Sequence, residues 1–346
     1  MRIKGLDFLR GIAIIGVLCR HVETDFFLST PGGYGVDLFF VLSGFLVSGL
    51  LFSEYKRNGK ANVTRFLVRR GFKIYPAFYF FIVASLAIFA WGYGSYFPAP
   101  SILSEVFFLQ SYIHPMWSHT WSLAVEEHFY LLLALFIFLA IRFRWIEKPR
   151  TMISFLLGAI MISSVLRLIY VLTTYSILHE PFYYTHLRID GLFTGALLGY
   201  IWHFHKRLID KIYERKKTMV LLTLMFIAPA FVFSTDSIFM VTIGFNLLHV
   251  AFSFSILMLI SEKGEKILFG NWMMQKVSSA ICYVGVYSYS IYLWHLPVQN
   301  ILLRSIHDLR IESIVYMLTA IATGIIASLA IEKPMLRLRD LHFPRT

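Results

Sequence analysis

Arg10 and His21 stand eleven residues apart within one apolar run, LDFLRGIAIIGVLCRH. Ionisable groups inside a membrane run cost several kcal/mol on most scales and are kept where they have work to do. On a helix, eleven residues is close to three turns, so the two side chains share a face, ~16 Å apart along the axis. An imidazole held there has the chemistry of a general base or a nucleophile; the plain alternative is an interfacial side chain reaching water. A second run opens with WSLAVEEHFY and brings Glu126 and Glu127 to its head. Neighbours on a helix diverge by ~100°, so the two cannot face a bundle core equally. Glu126 is expected near the outer surface, roughly level with His21, where its carboxylate fixes the imidazole tautomer and raises its basicity, making the two the catalytic pair. The competing reading is an ion pair that only ties two helices together.

Three more groups carry possible chemistry. HLRIDG sets Arg188 and Asp190 at the head of a further run, where they bind a polar acceptor or pair with other charges. GVYSYSIYLWHLPV carries Tyr292 and His295 on an aromatic face that either stacks on a sugar or simply packs. RFLVRRGFKIYP places Arg65, Arg69, Arg70 and Lys73 just before a Tyr-Pro step. The planar fork of Arg suits phosphate, although the same cluster also serves as an orientation signal. Ser43-Gly44 in FFVLSGFL lacks the nucleophile-elbow pattern, and there is no phosphate-binding glycine loop. His203 and His205 sit on a basic connector without metal-site spacing, so no metal is expected.

The elements that must position these residues follow from composition. Of 346 residues, 58% are hydrophobic and 15% charged, and the mean hydropathy is +0.67. That is too little charge to cover a soluble domain, and apolar runs of about 18 to 22 residues recur, each able to cross a ~30 Å hydrocarbon core. The expected fold is all-α: a polytopic transmembrane helical bundle forming a single domain over 1–346. About ten spans are read, at roughly 6–22, 34–52, 75–93, 121–141, 152–173, 187–202, 218–234, 238–260, 281–303 and 312–331. Segment 101–113 is too short to cross and lies in the interface or re-enters.

With the amino terminus inside, the inner connectors hold 26 of the 32 Lys and Arg, and the outer ones hold Arg304 and Arg310. Both termini are therefore expected to be cytoplasmic. The net charge of +12 records orientation and is not a nucleic-acid footprint. Arg2 and Lys4 precede the first run as in a signal peptide, but there is no small-residue cleavage site, and Arg10, Arg20 and His21 mark a retained helix. Cys19 and Cys282 lie in apolar runs as packing residues. Connector 203–217 reads as a basic amphipathic helix on the inner leaflet.

Taken in order, LDFLRGIAIIGVLCRH, GGYGVDLFFVLSGFL, RRGFKIYP, WSLAVEEHFY, LRIDGLFTGALLG, SYSIYLWHLPV and IEKP resemble the membrane acyltransferase-3 family. Its members O-acetylate or otherwise acylate surface polysaccharides, O-antigens, Nod factors and some antibiotics. The resemblance covers nearly the whole chain. It implies an O-acyltransferase of a bacterial inner (plasma) membrane that moves an acyl group, acetyl first among them, from cytosolic acyl-CoA to a hydroxyl. The acceptor would be a cell-surface glycan, a lipid-linked sugar or a related molecule, and acetyl-CoA or another acyl-CoA is the co-substrate. His21 matches the essential histidine, general base or transient acyl carrier, and Glu126 the motif glutamate. Arg10, Arg69, Arg70 and Lys73 fall to the donor. Trp121, Arg188, Asp190, Tyr292 and His295 fall to the acceptor. Lys73 stands where a second Arg is commoner and His128 where Gln is, and the appended outer domain of some relatives is expected to be missing. The alternative is a transporter or flippase of a lipid-linked glycan, with the buried charges as its path; the lack of repeated halves argues against it.

Overall fold

The computed structural model describes residues 3–22, 28–92, 94, 96–175, 183–302 and 309–344, and all regular structure among them is helical. Of the charges used to read orientation, Arg2, Arg304 and Arg345 lie outside the described residues, as does the end of the expected span at 303. The principal helices are α1 (Lys4–Arg20), α2 (Gly35–Asn58), α3 (Val63–Ala87), α4 (Ala99–Val106), α5 (Trp121–Arg142), α6 (Pro149–Tyr170) and α7 (Asp190–Phe204). They continue as α8 (Lys206–Glu214), α9 (Lys216–Ile227), α10 (Phe245–Ile260), α11 (Trp272–Val286), α12 (Ser288–Leu302), α13 (Leu309–Ala327) and α14 (Lys333–His342).

Six helical stretches are long and apolar enough to cross a bilayer: Ser29–Asn58, Val63–Gly92, Trp121–Arg142, Pro149–Thr174, Met240–Ile260 and Glu312–His342. Their outward faces expose Val83, Leu135, Phe138, Ile162 and Leu318 by more than half, a surface that lipid covers and water does not. The chain is an integral membrane protein. The other four expected spans, 6–22, 187–202, 218–234 and 281–303, are helical but fall short of that length as single helices among the described residues. At 1.5 Å per residue, α1 and α7 reach only ~26 and ~23 Å. The run at 218–234 stops at Ile227 before Pro229, and the run at 281–303 breaks at Tyr287 between α11 and α12.

Helix boundaries also shift towards the charged ends. α3 begins at Val63, well before the expected start at 75, because Asn62 caps it by accepting from the Arg65 amide at 2.9 Å and Arg and Lys are good helix formers. The basic cluster thus rides on a helix, where Arg65, Arg69 and Lys73 recur every four residues on one face. Segment 101–113 is helical only to Val106, as the last part of the eight-residue α4. Connector 203–217 does hold a basic amphipathic helix, α8, which buries Ile209.

Lipid tails are as apolar as leucine, so helices in a membrane associate through close backbone approach at small residues. Gly191, Gly195 and Gly199 recur every four residues on α7, which lies against α2. A Cβ added at Gly195 would land on the Val41 carbonyl oxygen, and one at Gly285 of α11 on that of Asp7 in α1. These contacts seat α7 on α2 and α11 on α1, and α1 and α2 in turn pack on each other. Gly195→Leu is expected to destabilise the fold by on the order of 3 kcal/mol through overpacking, read as a lower unfolding temperature of the detergent-solubilised protein. An unchanged unfolding temperature would refute the close α2–α7 contact.

Candidate active site

Three cavities run in series through the bundle. The largest, about 470 Å³, is lined by His21, Arg20, His119, Trp121, Arg188 and Tyr292, with others. A middle one of about 80 Å³ is lined by Arg10, Ser43, Arg70, Lys73, Glu126 and Tyr292 among its residues. The third, about 140 Å³, is bordered by Arg57, Arg65, Arg69, Arg70, Lys73 and Arg339, with Glu54 as the one acid. Val36 and Tyr292 line both the first and the second, and Arg70 and Lys73 line both the second and the third. The shared residues set the three cavities next to one another, between a basic cluster and the imidazole of His21.

His21 caps the end of α1, and its ring lies 5.1 Å from that of His295, centroid to centroid. His295 in turn sits 4.7 Å from His119. His295 Nδ1 donates to the Tyr292 carbonyl at 2.6 Å and His119 Nε2 to the Leu293 carbonyl at 3.2 Å. A carbonyl only accepts, so each ring's tautomer is fixed with the other nitrogen bare. Those bare nitrogens, His295 Nε2 and His119 Nδ1, are buried without a hydrogen-bond partner among the described residues. Burial, helped by the nearby His21, lowers the His119 pKa to about 3, so this imidazole is neutral. Gln299 holds the His21 backbone by donating to its carbonyl at 2.5 Å. Tyr292 donates its hydroxyl to the His119 carbonyl at 2.8 Å and bonds Ser122 Oγ at 2.7 Å. Trp121 stacks on Tyr183 at 4.9 Å, and the Arg188 guanidinium lies over Phe245 at 4.2 Å while pairing with Asp37 at 2.7 Å.

The middle cavity separates two residues expected to meet. Glu126 accepts from Ser43 Oγ at 3.1 Å and from the Tyr130 hydroxyl, and lies 3.9 Å from Arg70. It lines the chamber of Arg10, not that of His21, and no hydrogen bond joins Glu126 to His21 among the described residues. The reason is helical rise: Trp121, at the head of α5, already reaches the large cavity, and Glu126 lies five residues, ~7.5 Å, further along. Arg10 has Asp7 at 3.9 Å. Arg70 donates to Tyr130 and stacks over its ring at 4.2 Å. Lys73 Nζ donates to Glu332 at 3.0 Å, and Glu332 also accepts from Ser290 and Ser328. At the basic mouth Arg69 pairs with Asp340 at 2.8 Å and donates to the Phe343 carbonyl.

Four contributors were not singled out from sequence: His119, Asp37, Glu332 and Tyr130. Asp37 and Glu332 lie inside the quoted motifs GGYGVDLFF and IEKP, and a charge in an apolar run was the signal available for Asp37. His119 stands in a polar connector that carries no such signal.

Residues 3–333 match the family described as an acyltransferase domain. The O-acetyltransferase OatA of Staphylococcus aureus (strain NCTC 8325 / PS 47) is 31% identical over 370 residues, covering 96% of this chain and 57% of its own length. The peptidoglycan O-acetyltransferase OatA of Listeria monocytogenes serovar 1/2a is 28% identical over 333 residues, covering 86% of this chain and 49% of its own. The chain therefore spans about half the length of these relatives. No solved structure matches the chain significantly.

Asp190 is not among the residues lining the cavities described. It pairs with Arg167 at 2.8 Å, both side chains fully buried, and His249 bridges it at 3.6 Å to Asp37 at 3.3 Å, which holds Arg188. This buried chain of charges ties α6, α7, α10 and α2 together beneath the large cavity. Asp190→Ala strands the Arg167 guanidinium and is expected to cost ~3–5 kcal/mol of stability, measured by unfolding in detergent. A loss under about 1 kcal/mol, with a raised acceptor KM, would return Asp190 to direct acceptor binding.

Proposed function

Because the chain belongs to the acyltransferase-3 family, we propose that it is a membrane O-acyltransferase that carries an acetyl group from cytosolic acetyl-CoA to a glycan hydroxyl at the far face. The observation that carries this reading is the row of adjoining cavities between a cluster of Arg and Lys and His21. Its sidedness rests on the sequence: ten membrane-embedded helical segments, both termini cytoplasmic and the basic connectors inside. The bacterial relatives make a plasma membrane the natural site.

Acyl-CoA enters at the basic mouth with its phosphates on Arg69 and Arg70, supported by Arg57, Arg65 and Arg339; several forked guanidiniums suit a ligand with several phosphates. Lys73 contributes a point charge and is held by Glu332. The pantetheine arm leads the thioester into the middle cavity past Arg10. Glu126 keeps Arg70 and Ser43 in place there, so its role is to position the donor. At the far end the sugar stacks on Trp121 and Tyr292, Arg188 offers a polar contact, and His295, fully buried, backs the ring of His21. His21 takes the proton of the acceptor hydroxyl as its oxygen attacks the acyl carbon. The C–O ester bond forms, the C–S bond breaks, and the proton passes from His21 to the departing CoA sulfur. Asp190 acts from behind the site, through Arg167 and His249, by holding the helices that present Arg188 and Asp37. The Listeria relative is named for peptidoglycan, which makes a cell-wall glycan the first acceptor to test.

Positioned general-base catalysis contributes ~10²–10⁴-fold. His21→Ala should therefore cut transfer at least ~100-fold with acyl-CoA binding preserved. Arg69→Ala or Arg70→Ala should raise the KM for acetyl-CoA by about tenfold, as expected for one lost charge-assisted bond. The decisive measurement is mass spectrometry of surface glycans from cells with the gene, without it, and complemented with His21→Ala. Acetyl groups that persist in the His21→Ala cells would end the proposal.

A further inference from the structure

We propose that His295 orients the His21 imidazole by accepting the His21 N–H at its bare Nε2, the task that the sequence pattern gave to Glu126. The inference rests on the reading of His21 as the general base of an acyl-CoA-dependent O-acyltransferase. His295 is fully buried and is not among the residues lining the three cavities. It is therefore a positioning residue, acting through His21.

Donors and acceptors among the three imidazoles leave few arrangements. A neutral imidazole has one N–H and one bare nitrogen. His295 commits its N–H to the Tyr292 carbonyl, three residues back on the same helix, at 2.6 Å. His119 commits its own to the Leu293 carbonyl at 3.2 Å. That carbonyl is open because Pro297, four residues further along α12, has no N–H to give it. Both rings are left as acceptors, so neither can satisfy the other. The His21 ring makes no hydrogen bond among the described residues, and its N–H is the one uncommitted donor of the three. A buried acceptor left bare is unfavourable, which draws that donor towards it.

His295 is the neighbour placed to receive it. Its ring centroid lies 5.1 Å from that of His21 with the planes tilted by 55°, whereas no ring contact joins His21 to His119 among the described residues. Catalytic hydrogen bonds are often long in the free enzyme and tighten when substrate binds; here a turn of the His21 ring suffices. Gln299 lies one turn on from His295, on the same face of α12, and donates to the His21 carbonyl at 2.5 Å. The backbone and the ring of His21 thus meet one face of one helix. With its N–H on His295, His21 keeps its other nitrogen for the large cavity that it lines, where the acceptor hydroxyl arrives. When that nitrogen takes the hydroxyl proton, the imidazolium keeps its second N–H on neutral His295. The proton taken then passes to the CoA sulfur, as already written. Glu126 is committed elsewhere, to Ser43 and Tyr130.

Two substitutions separate the two nitrogens of His295. A Gln side chain carries its amide out to where Nε2 sits, and an Asn side chain only as far as Nδ1. His295→Gln therefore keeps an acceptor for His21, whereas His295→Asn keeps only a donor for the Tyr292 carbonyl. Membranes from cells lacking the gene, complemented with wild type or either variant, are given isotope-labelled acetyl-CoA over a range of concentrations. Their own glycans serve as acceptor. Vmax is taken per mole of folded protein, measured as the monodisperse fraction after detergent extraction, so a variant that folds poorly still reports. A positioned base contributes ~10²–10⁴-fold, so His295→Asn is expected to fall at least ~10-fold below His295→Gln in Vmax, with the same KM for acetyl-CoA. His295→Asn as fast as His295→Gln, or slower only through KM, overturns the inference and leaves the acyltransferase reading intact. Wild-type membranes that transfer no acetyl group overturn that reading itself.

Discussion

A charge within an apolar layer must meet an opposite charge or open space, and this constraint shapes the rest of the molecule. The described residues divide accordingly. Arg167, Asp190, His249, Asp37 and Arg188 form one buried sequence of pairs joining four helices. Lys73 and Glu332 tie α3 to the segment leading into α14. Arg10 and Arg70 are held more loosely, each with a carboxylate at 3.9 Å, and both also line a cavity. Stripping one partner from a buried pair costs far more than the pair itself contributes, because a desolvated charge is left behind. The same rule that fixes helix positions thus marks where a polar substrate is welcome.

The second constraint is packing without a hydrophobic drive between helices. α2 and α7 meet through backbone contacts at glycines, and this close seam brings Asp37 within reach of Arg188 across two elements far apart in sequence. α1 and α7 are short for a crossing because protein surrounds much of their length. Helices embedded this way need not match the bilayer on their own.

Much of the architecture was legible from the chain. Apolar runs marked the helices, and many residues of the quoted motifs line two adjoining cavities: His21, Trp121 and Arg188 one, Arg10, Arg70, Lys73 and Glu126 the other, and Tyr292 both. Depth was harder to read than direction. Spacing along α1 put Arg10 and His21 on a common side, but no one-dimensional pattern tells how far one helix is displaced along another, and Glu126 came out in the chamber next to the one expected. For Asp190 the chain left acceptor binding and charge pairing equally open, since its partner Arg167 sits on another helix and pairing across helices leaves no local trace. His119 is a third case: a connector residue whose value comes only from folding back against α12.

Tyr292 serves two histidines by two different parts of itself, its hydroxyl to the His119 carbonyl and its carbonyl to His295 Nδ1. The two attachments differ in how they weather sequence drift. A main-chain oxygen survives any exchange of side chain at its position, so the orientation of His295 is secured by helical geometry alone. The His119 carbonyl depends in part on a side chain, the Tyr292 phenol, beside the Ser122 hydroxyl on the same oxygen and the ring's own bond to the Leu293 carbonyl. Exchanging the phenol therefore removes one hold on His119 and none on His295, so the two imidazoles are unequally sensitive to change at that one position.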